Sequence, residues 1–335
     1  MEFMKAIVYE RYGNPTEVLH VKQVPKPQLP PTSSRVLVKI HASSVNAANW
    51  HIIRGTPWLA RLAFGLFRPR VKIPGEDIAG VVLACGAGVT RFKQGDEVFG
   101  ALSASQLGAF AEYACVEEKE LAKKPSGISM EQAAATPLAA MTALQGLTKV
   151  ASVQPGQRVL VVGASGGVGS FAVQIAKGLG AQVTAVCHTD KMEFAKSLGA
   201  SRVVDYTKDD VTRPSDGTLP YDTIFDAAAF RPFTEYKRIL SPSGTYVLGG
   251  GSTWRLFDII FRGWFVAGRG QRMVNFLSIA NPEDLETVRE LLQSRKIVPP
   301  VDRTFTLDEV PLAIQYMEDR KVKGKVVVLM VPPAQ

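Results

Sequence analysis

The stretch Arg158-Val-Leu-Val-Val-Gly163-Ala164-Ser165-Gly166-Gly167-Val168-Gly169, continued by Ser-Phe-Ala-Val-Gln-Ile-Ala-Lys177, decides the fold. Val159 to Val162 is an unbroken apolar run of the kind that forms a strand buried on both faces. A glycine-dense turn follows, and then Val168, Phe171, Ala172, Ile175 and Ala176 recur at helical spacing. Strand, turn and helix in this order make a variant dinucleotide fingerprint, with Ala164 at the first glycine position and Gly166 and Gly169 after it. Small residues let backbone N–H groups at the helix start approach a pyrophosphate, and the helix dipole favours its charge. The whole turn, Gly163, Ala164, Ser165, Gly166, Gly167, Val168 and Gly169, is therefore expected to hold a dinucleotide.

The bulk numbers fit an ordinary globular protein. A length of 335 residues suits two domains, and 46% hydrophobic with 21% charged residues is average usage. The net charge of +8 raises nucleic acid as a partner, but the Lys and Arg are scattered, with no run of five and no interleaved aromatic platform. A cationic surface with a pocket for an anionic cofactor is the expected reading, with no nucleic acid. Cys85, Cys115 and Cys187 are too far apart in sequence for a metal motif, and an odd count argues against a disulfide framework. A reducing, cytoplasmic setting follows. The opening Met1-Glu2-Phe3-Met4-Lys5 carries no signal-peptide pattern, and no uncharged apolar run approaches the ~20 residues of a membrane span.

Before residue 125 the chain reads as short strands between Pro and Gly turns: Ala6–Tyr9, Val36–Ile40, Ile78–Leu83 and Ala109–Val116. Pro25, Pro27, Pro30 and Pro31 mark an extended connector, and the half is expected to be barrel-like. Residues 46–70 depart from that pattern. Trp58, Leu62 and Leu66 fall four apart, predicting a short amphipathic helix. Its apolar side chains have three open roles: roofing a hydrophobic pocket, which is expected first, plain packing, or lipid contact through the adjacent arginines. After residue 130, strands and helices alternate. Helices are expected at Met130–Ala135, Pro137–Lys149, Lys191–Leu198 and Phe233–Leu240, and strands at Val183–Val186, Arg202–Val204, Thr223–Asp226, Thr245–Leu248 and Val274–Ile279. Such alternation implies a parallel, doubly wound sheet. Helices at Pro282–Ser294 and Leu307–Met317 and a strand at Lys325–Met330 close the chain.

The tip of the second strand selects the dinucleotide. NAD enzymes usually place Asp or Glu there for the ribose 2′-hydroxyl, whereas this strand ends Ala185-Val186-Cys187-His188-Thr189-Asp190-Lys191. Asp190 is expected to cap the next helix. His188, Thr189 and Lys191, with Tyr206 from beyond the third strand, are candidates for a 2′-phosphate, so NADPH is favoured over NADH.

Pro74-Gly75-Glu76-Asp77-Ile78-Ala79-Gly80, Gly95-Asp96-Glu97-Val98, the loop Ala164–Gly169, Ser197-Leu198-Gly199-Ala200 and Gly324-Lys325-Val326-Val327 extend the pattern over essentially the whole chain. In these stretches the sequence resembles the medium-chain dehydrogenase/reductase superfamily. The resemblance implies an α/β protein: a GroES-like, β-barrel-type catalytic domain from residues 1–129 and 281–335, and a Rossmann NAD(P)-binding domain from 130–280. Zinc members carry Cys near Asn46, a His–Glu pair where this chain has Glu76-Asp77, and a further Cys within 137–142. They also have a cysteine-rich structural loop where residues 100–112 hold none. A catalytic zinc needs about three protein ligands, so no zinc is expected, and Glu76 and Asp77 read as structural or turn residues.

What is left looks like the quinone oxidoreductase-like, zeta-crystallin-like branch. That branch implies hydride transfer from NADPH to a small hydrophobic quinone or to the double bond of an α,β-unsaturated carbonyl. By the same resemblance Asn46 sits in the substrate cleft, and His51 stands where relatives have Tyr or, in zinc enzymes, a relay His, so that proton delivery and mere packing are both open. Trp50, Trp58 and Phe67 are candidates for the substrate pocket. Thr136, Gly249, Gly250 and Lys325 are placed near the cofactor, and a homodimer through residues 274–279 is expected. Two alternatives stay open: zinc-free alcohol/aldehyde or enoyl-thioester reduction, and a non-enzymatic cofactor-binding sensor or structural protein.

Overall fold

The structure is a computed structural model and describes residues 2–213, 217, 219–251, 255, 258, 259, 262, 263, 266, 267 and 270–330. It comprises two compact units, Met1–Leu138 with Ala280–Gln335, and Ala139–Ile279.

In the first unit β1 (Phe3–Val8) pairs antiparallel with β2 (His20–Pro25), and α1 (Pro15–Val18) lies between them. The longest strand is β3 (Arg35–Val45), where Val36, Val38, Ile40 and Ala42 are buried at alternate positions and so share one face. It pairs antiparallel with β4 (Asp77–Cys85), which in turn holds β5 (Glu97–Ala101). Strand β6 (Tyr113–Glu117) also pairs β3, and β7 (Leu121–Lys123) pairs β5. Between β3 and β4 stand α2 (Ala47–Arg54), a 3-10 turn at Trp58–Ala60, and α3 (Arg61–Phe64). Helix α4 (Met130–Ala134) opens with a capping box of Ser129 and Gln132, and α5 (Pro137–Gln145) follows. Because α4 packs on β3, β4 and β5, residues 130–138 group with the first unit, whereas the sequence placed a boundary before 130.

The second unit carries β8 (Arg158–Val162), α6 (Gly167–Gly178), β9 (Gln182–Cys187), α7 (Met192–Ser197), β10 (Arg202–Asp205), β11 (Tyr221–Asp226), α8 (Phe233–Tyr236), β12 (Leu240–Leu248) and β13 (Arg272–Asn275). All pairs are parallel, in the order β10-β9-β8-β11-β12-β13. This is the doubly wound order of a dinucleotide-binding sheet. Val159 to Val162 have no exposure, as a strand between two helical layers requires.

The tail then adds α9 (Pro282–Gln293), β14 (Val301–Thr306), α10 (Val310–Glu318) and β15 (Lys325–Leu329) to the first unit. Strand β15 runs parallel to β14 and antiparallel to β3, with Val326 opposite Val45. The sheet order is β14-β15-β3-β4-β5-β7, with β6 also on β3.

Several elements differ from their sequence reading. The helix expected through Lys149 changes at Gly146 to a wider π turn, Gly146–Val150, where the rings of Phe225 and Phe276 press against the glycine. The segment 233–240 forms one α turn and a 3-10 turn. The strand expected over 274–279 is β13, ending at Asn275.

Gly169 is required by packing, not by backbone freedom. A Cβ there would collide with the Gly163 carbonyl and the Ala164 Cα, because α6 crosses the turn at backbone contact. Gly178, at the exposed end of the same helix, has open space around it. Gly178→Ala should therefore stabilise by about 0.5–1 kcal/mol. Gly169→Ala should reverse the sign and destabilise by about 1–3 kcal/mol in thermal or urea unfolding. Equal, favourable shifts would contradict the close approach.

Candidate cofactor cradle and catalytic cluster

The turn after β8 is shaped for an anion. Gly163 has φ of 76°, which favours glycine, and its N–H and that of Ala164 both donate to the Val186 carbonyl at 3.1 Å. This anchors the turn to β9. Helix α6 then starts after Gly166, which caps it with backbone alone. The first-turn amides of a helix have no intrahelical partner. A Cβ on Gly166 would meet only the Gly163 oxygen, at 3.4 Å, so the cradle is open on that side. Donors, dipole and space together fit a pyrophosphate.

At the tips of β9 and β10 the structure gathers His188, Thr189 and Tyr206. The His188 and Tyr206 rings meet edge-on at 5.8 Å, and Tyr206 leans on Phe230 at 5.1 Å. Two expectations change here. Asp190 lies inside a 3-10 turn, Thr189–Lys191, where its carboxylate holds His188 Nδ1 at 2.6 Å, while the residue that caps α7 is Lys191. Lys191 is buried, not a projecting cation. The site also has an acid that the sequence reading did not use. Asp205, paired in register with Cys187, accepts from Thr189 Oγ1 at 2.5 Å and from the Thr207 amide and hydroxyl at 3.0 and 2.7 Å. Those hydrogen bonds, the Thr189 bond foremost, hold its pKa down at about 2. Both oxygens are engaged within the protein. Asp205 directly precedes Tyr206 at the tip of the third strand, so its signal is present in the sequence.

Asp226, at the tip of β11, is the other polar anchor that was missed. It accepts from the Ala228 and Ala229 amides and from Tyr246 Oη at 2.7 Å, and burial raises its pKa. These bonds set the 227–229 turn, against which Gly251 packs without room for a side chain and Gly250 packs closely. Gly249 donates its N–H to the Asp226 carbonyl.

The first unit holds a buried polar cluster. Asp77, with no exposure, accepts on Oδ2 from Ser44 Oγ (2.6 Å), Asn46 Nδ2 (2.8 Å) and Lys325 Nζ (3.4 Å), and on Oδ1 from the Leu138 N–H (2.9 Å). Lys325 Nζ also donates to Asn46 Oδ1 (2.5 Å) and the Val45 carbonyl (3.3 Å). Burial lowers its pKa, against the pull of Asp77. Asn46 starts α2, and its N–H donates to Asn49 Oδ1 at 2.7 Å; Asn49 Nδ2 in turn donates to Glu76 Oε2 at 2.6 Å. Asn46 and Lys325, named separately from the sequence, are thus direct partners. Glu76 and Asp77 join them as members of the network, the structural one of the two roles the sequence left open.

His51 lies one turn into α2. Its Nδ1 is 3.1 Å from the Thr56 carbonyl, so that nitrogen carries the proton and Nε2 is the free lone pair. Burial lowers its pKa, which leaves the ring neutral at pH 7. Trp50 stacks on it at 3.6 Å and packs against the core of the unit. Trp58 and Phe67, by contrast, are exposed. Thr136 is buried and donates its hydroxyl to the Gln132 carbonyl. Among the described residues no group of three His, Cys, Asp or Glu side chains is placed to hold a metal ion.

Known proteins match this architecture. Residues 32–126 match the alcohol dehydrogenase GroES-like domain, and residues 198–328 match a zinc-binding dehydrogenase model. The chain is 34% identical over 338 residues to a chloroplast envelope quinone oxidoreductase homolog of Arabidopsis thaliana, covering 98% of each. It is 32% identical to an NADPH-dependent alkenal/one oxidoreductase of the same plant, over 98% of this chain and 80% of the relative. The structure of a quinone oxidoreductase from Coxiella burnetii superimposes with a TM-score of 0.86 at 28% identity, covering 98% of this chain and all of that one.

Glu76 gives the cluster a measurable pH signature. Burial, reinforced by the neighbouring Asp77, raises its pKa from 4.5 to about 7. The folded state therefore binds this proton more tightly than the unfolded chain does. The associated stability is complete below about pH 4.5 and is lost as pH rises through about 7, a change on the order of 3 kcal/mol. Glu76→Gln keeps the acceptor for Asn49 and removes the charge. It should match the wild type at pH 5 and exceed it at pH 8 in denaturant unfolding; parallel pH profiles would refute the assignment.

Proposed function

The chain belongs to the medium-chain dehydrogenase/reductase family, in its quinone oxidoreductase-like branch, and from that premise we propose an NADPH-dependent enzyme acting without zinc. Its acceptors are quinones or the double bond of α,β-unsaturated carbonyls. The two plant relatives, named for quinone and for alkenal/one reduction, support both acceptor classes. The observation that carries the zinc-free reading is the Asn46–Asp77–Lys325 cluster. Where a zinc enzyme needs thiolate and imidazole donors, this chain has an amide, two carboxylates already engaged by Ser44, Asn46, Asn49 and Lys325, and a buried ammonium that would repel a divalent cation.

NADPH, when bound, supplies the hydride. The first-turn amides of α6 and the Gly163–Gly169 turn would hold its pyrophosphate, and His188, Thr189 and Tyr206 would meet its 2′-phosphate. Asn46 is buried with both ends of its amide engaged, by Asp77 and Glu76 on the nitrogen and by Lys325 and the Asn49 N–H on the oxygen, so it fixes the start of α2 and with it the position of His51. His51 serves as the proton conduit. Its Nε2 takes a proton from solvent, and the lowered pKa makes the resulting imidazolium a ready donor to the reduced oxygen or carbon. Trp50, held flat by the His51 stack, offers an apolar wall for a planar acceptor.

We place the enzyme in the cytoplasm as a homodimer. No helix among the described residues is long and apolar enough to cross a membrane. Strand β13 is an open sheet edge, with Leu277 and Ile279 exposed just beyond it, and pairing would cover both.

With NADPH in excess, 1,4-benzoquinone and a 2-alkenal should each accelerate cofactor oxidation well above the acceptor-free rate, and NADH should support slower turnover. Cofactor binding with no turnover on any acceptor would overturn the enzyme assignment. Leu277→Asp should convert the dimer to monomer in light scattering, and a wild-type monomer would dispose of the interface.

A further inference from the structure

The segment from Arg54 to Lys72 is folded by contacts that leave its large apolar side chains unused. Helix α2 ends at Gly55, and Arg61 folds back so that its Nε donates to the Gly55 carbonyl at 2.9 Å and its guanidinium covers the Tyr12 ring at 4.6 Å. Tyr12 Oη donates to the Gly65 carbonyl at 2.6 Å, and the Gly65 and Arg70 amides close onto Arg61 and Phe64 at 2.7 and 2.8 Å. The apolar side chains point outward. Trp58 is 62% exposed, Leu62 59% and Phe67 86%, with Leu59 and Leu66 also exposed. Thirteen large apolar side chains are exposed among the described residues, and these five lie within ten positions, which makes a patch and not a scatter.

Charge says what covers the patch. Between Glu17 and Glu76 the chain has no Asp or Glu, and the loop carries Arg54, Arg61, Arg68, Arg70 and Lys72. Arg54 is paired with Glu318 and Arg61 is used inside the loop. Arg68, Arg70 and Lys72 are exposed and form no ion pair with the described residues; Glu10, the acid that feels Arg68 and Lys72, is itself paired with Lys22. A second copy laid on this patch across a two-fold axis would set these cations against their own mates. A surface of apolar interior and anionic face meets both halves of the patch.

We propose that residues 58–72 are a docking surface for an anionic lipid bilayer. Trp58, Leu62, Leu66 and Phe67 enter the headgroup–acyl boundary, and Arg68, Arg70 and Lys72 meet lipid phosphates. This reading stands apart from the reaction proposed above and would hold for any activity of the chain.

Flotation of the full chain with extruded vesicles tests it. Binding should occur with phosphatidylcholine vesicles containing phosphatidylglycerol, weaken with added salt, and be far weaker with phosphatidylcholine alone. Each basic residue near such a surface contributes roughly fivefold, so Arg68→Glu/Arg70→Glu/Lys72→Glu should lower the affinity by at least ~100-fold. Leu62→Ser/Leu66→Ser should also weaken it. All five positions are exposed, so unfolding curves should stay unchanged, which separates lost docking from lost fold. No flotation on anionic vesicles, or flotation indifferent to both variants, overturns the proposal. So does sedimentation showing that Leu62→Ser/Leu66→Ser abolishes self-association while vesicle binding is absent.

Discussion

One carboxylate without access to water organises the first unit. Asp77 collects the Ser44 hydroxyl, the Asn46 amide, the Lys325 ammonium and the Leu138 N–H, and so joins the end of β3, the start of α2, the tail strand β15 and the start of α5. An ionised carboxylate buried without partners is strongly disfavoured, so these elements assemble together or not at all. The Lys325 partner lies 248 residues away, which gives the pair a role that β-ladder hydrogen bonds cannot fill. Backbone pairing between β15 and β3 would tolerate a one-residue slip. That slip would turn Lys325 to the opposite face and strand both charges. The pair adds specificity of register more than net stability, since an apolar pair of similar size would escape the desolvation cost.

The same network shows what could be read from the sequence and what could not. The glycine turn was legible because everything it needs is local: four apolar residues, small residues at fixed offsets and a helical period, all within twenty positions. The parallel, doubly wound sheet followed from strand–helix alternation and chain handedness, without its strand order. Asn46 and Lys325 were reached only through resemblance. Their contact spans 279 positions, and no periodicity links residues that far apart. Glu76 and Asp77 read as structural or turn residues, and the sequence could not separate the two. Their burial follows from β4 running between β3 and β5, which is a tertiary fact.

Cofactor choice illustrates a different limit. Reading along the second strand finds no acid at its tip and favours a 2′-phosphate. In a parallel sheet, however, adjacent tips are neighbours, and β10 brings Asp205 beside Thr189. The carboxylate is ionised at any working pH, so the site carries a negative charge that a count along one strand omits. Its effect is blunted because Thr189 and Thr207 occupy its oxygens and Lys208 stands 3.7 Å away. The Thr189 hydroxyl gives its hydrogen to Asp205, while the His188 and Tyr206 rings meet edge-on at the same strand tips.

The loop after α2 makes the converse point about apolar residues. A four-residue spacing of Trp58, Leu62 and Leu66 says that they share a direction; it does not say whether that direction is inward. In this segment inward positions are already taken. Arg61 stacked on Tyr12, and the backbone bonds at Gly55, Gly65 and Arg70, close the loop against the body of the unit. That closure leaves the apolar face no interior to fill. Keeping five large apolar groups in water lowers solubility and gains nothing for folding, so an outward face of this size is best explained by something outside the chain. The lack of acids from Val18 to Gly75, with the nearby Glu10 and Glu318 already paired to Lys22 and Arg54, favours a covering surface that is itself negative. An amphipathic surface of this kind would also concentrate the enzyme where lipophilic quinones and alkenals partition, joining the loop's chemistry to the acceptors proposed for the buried site.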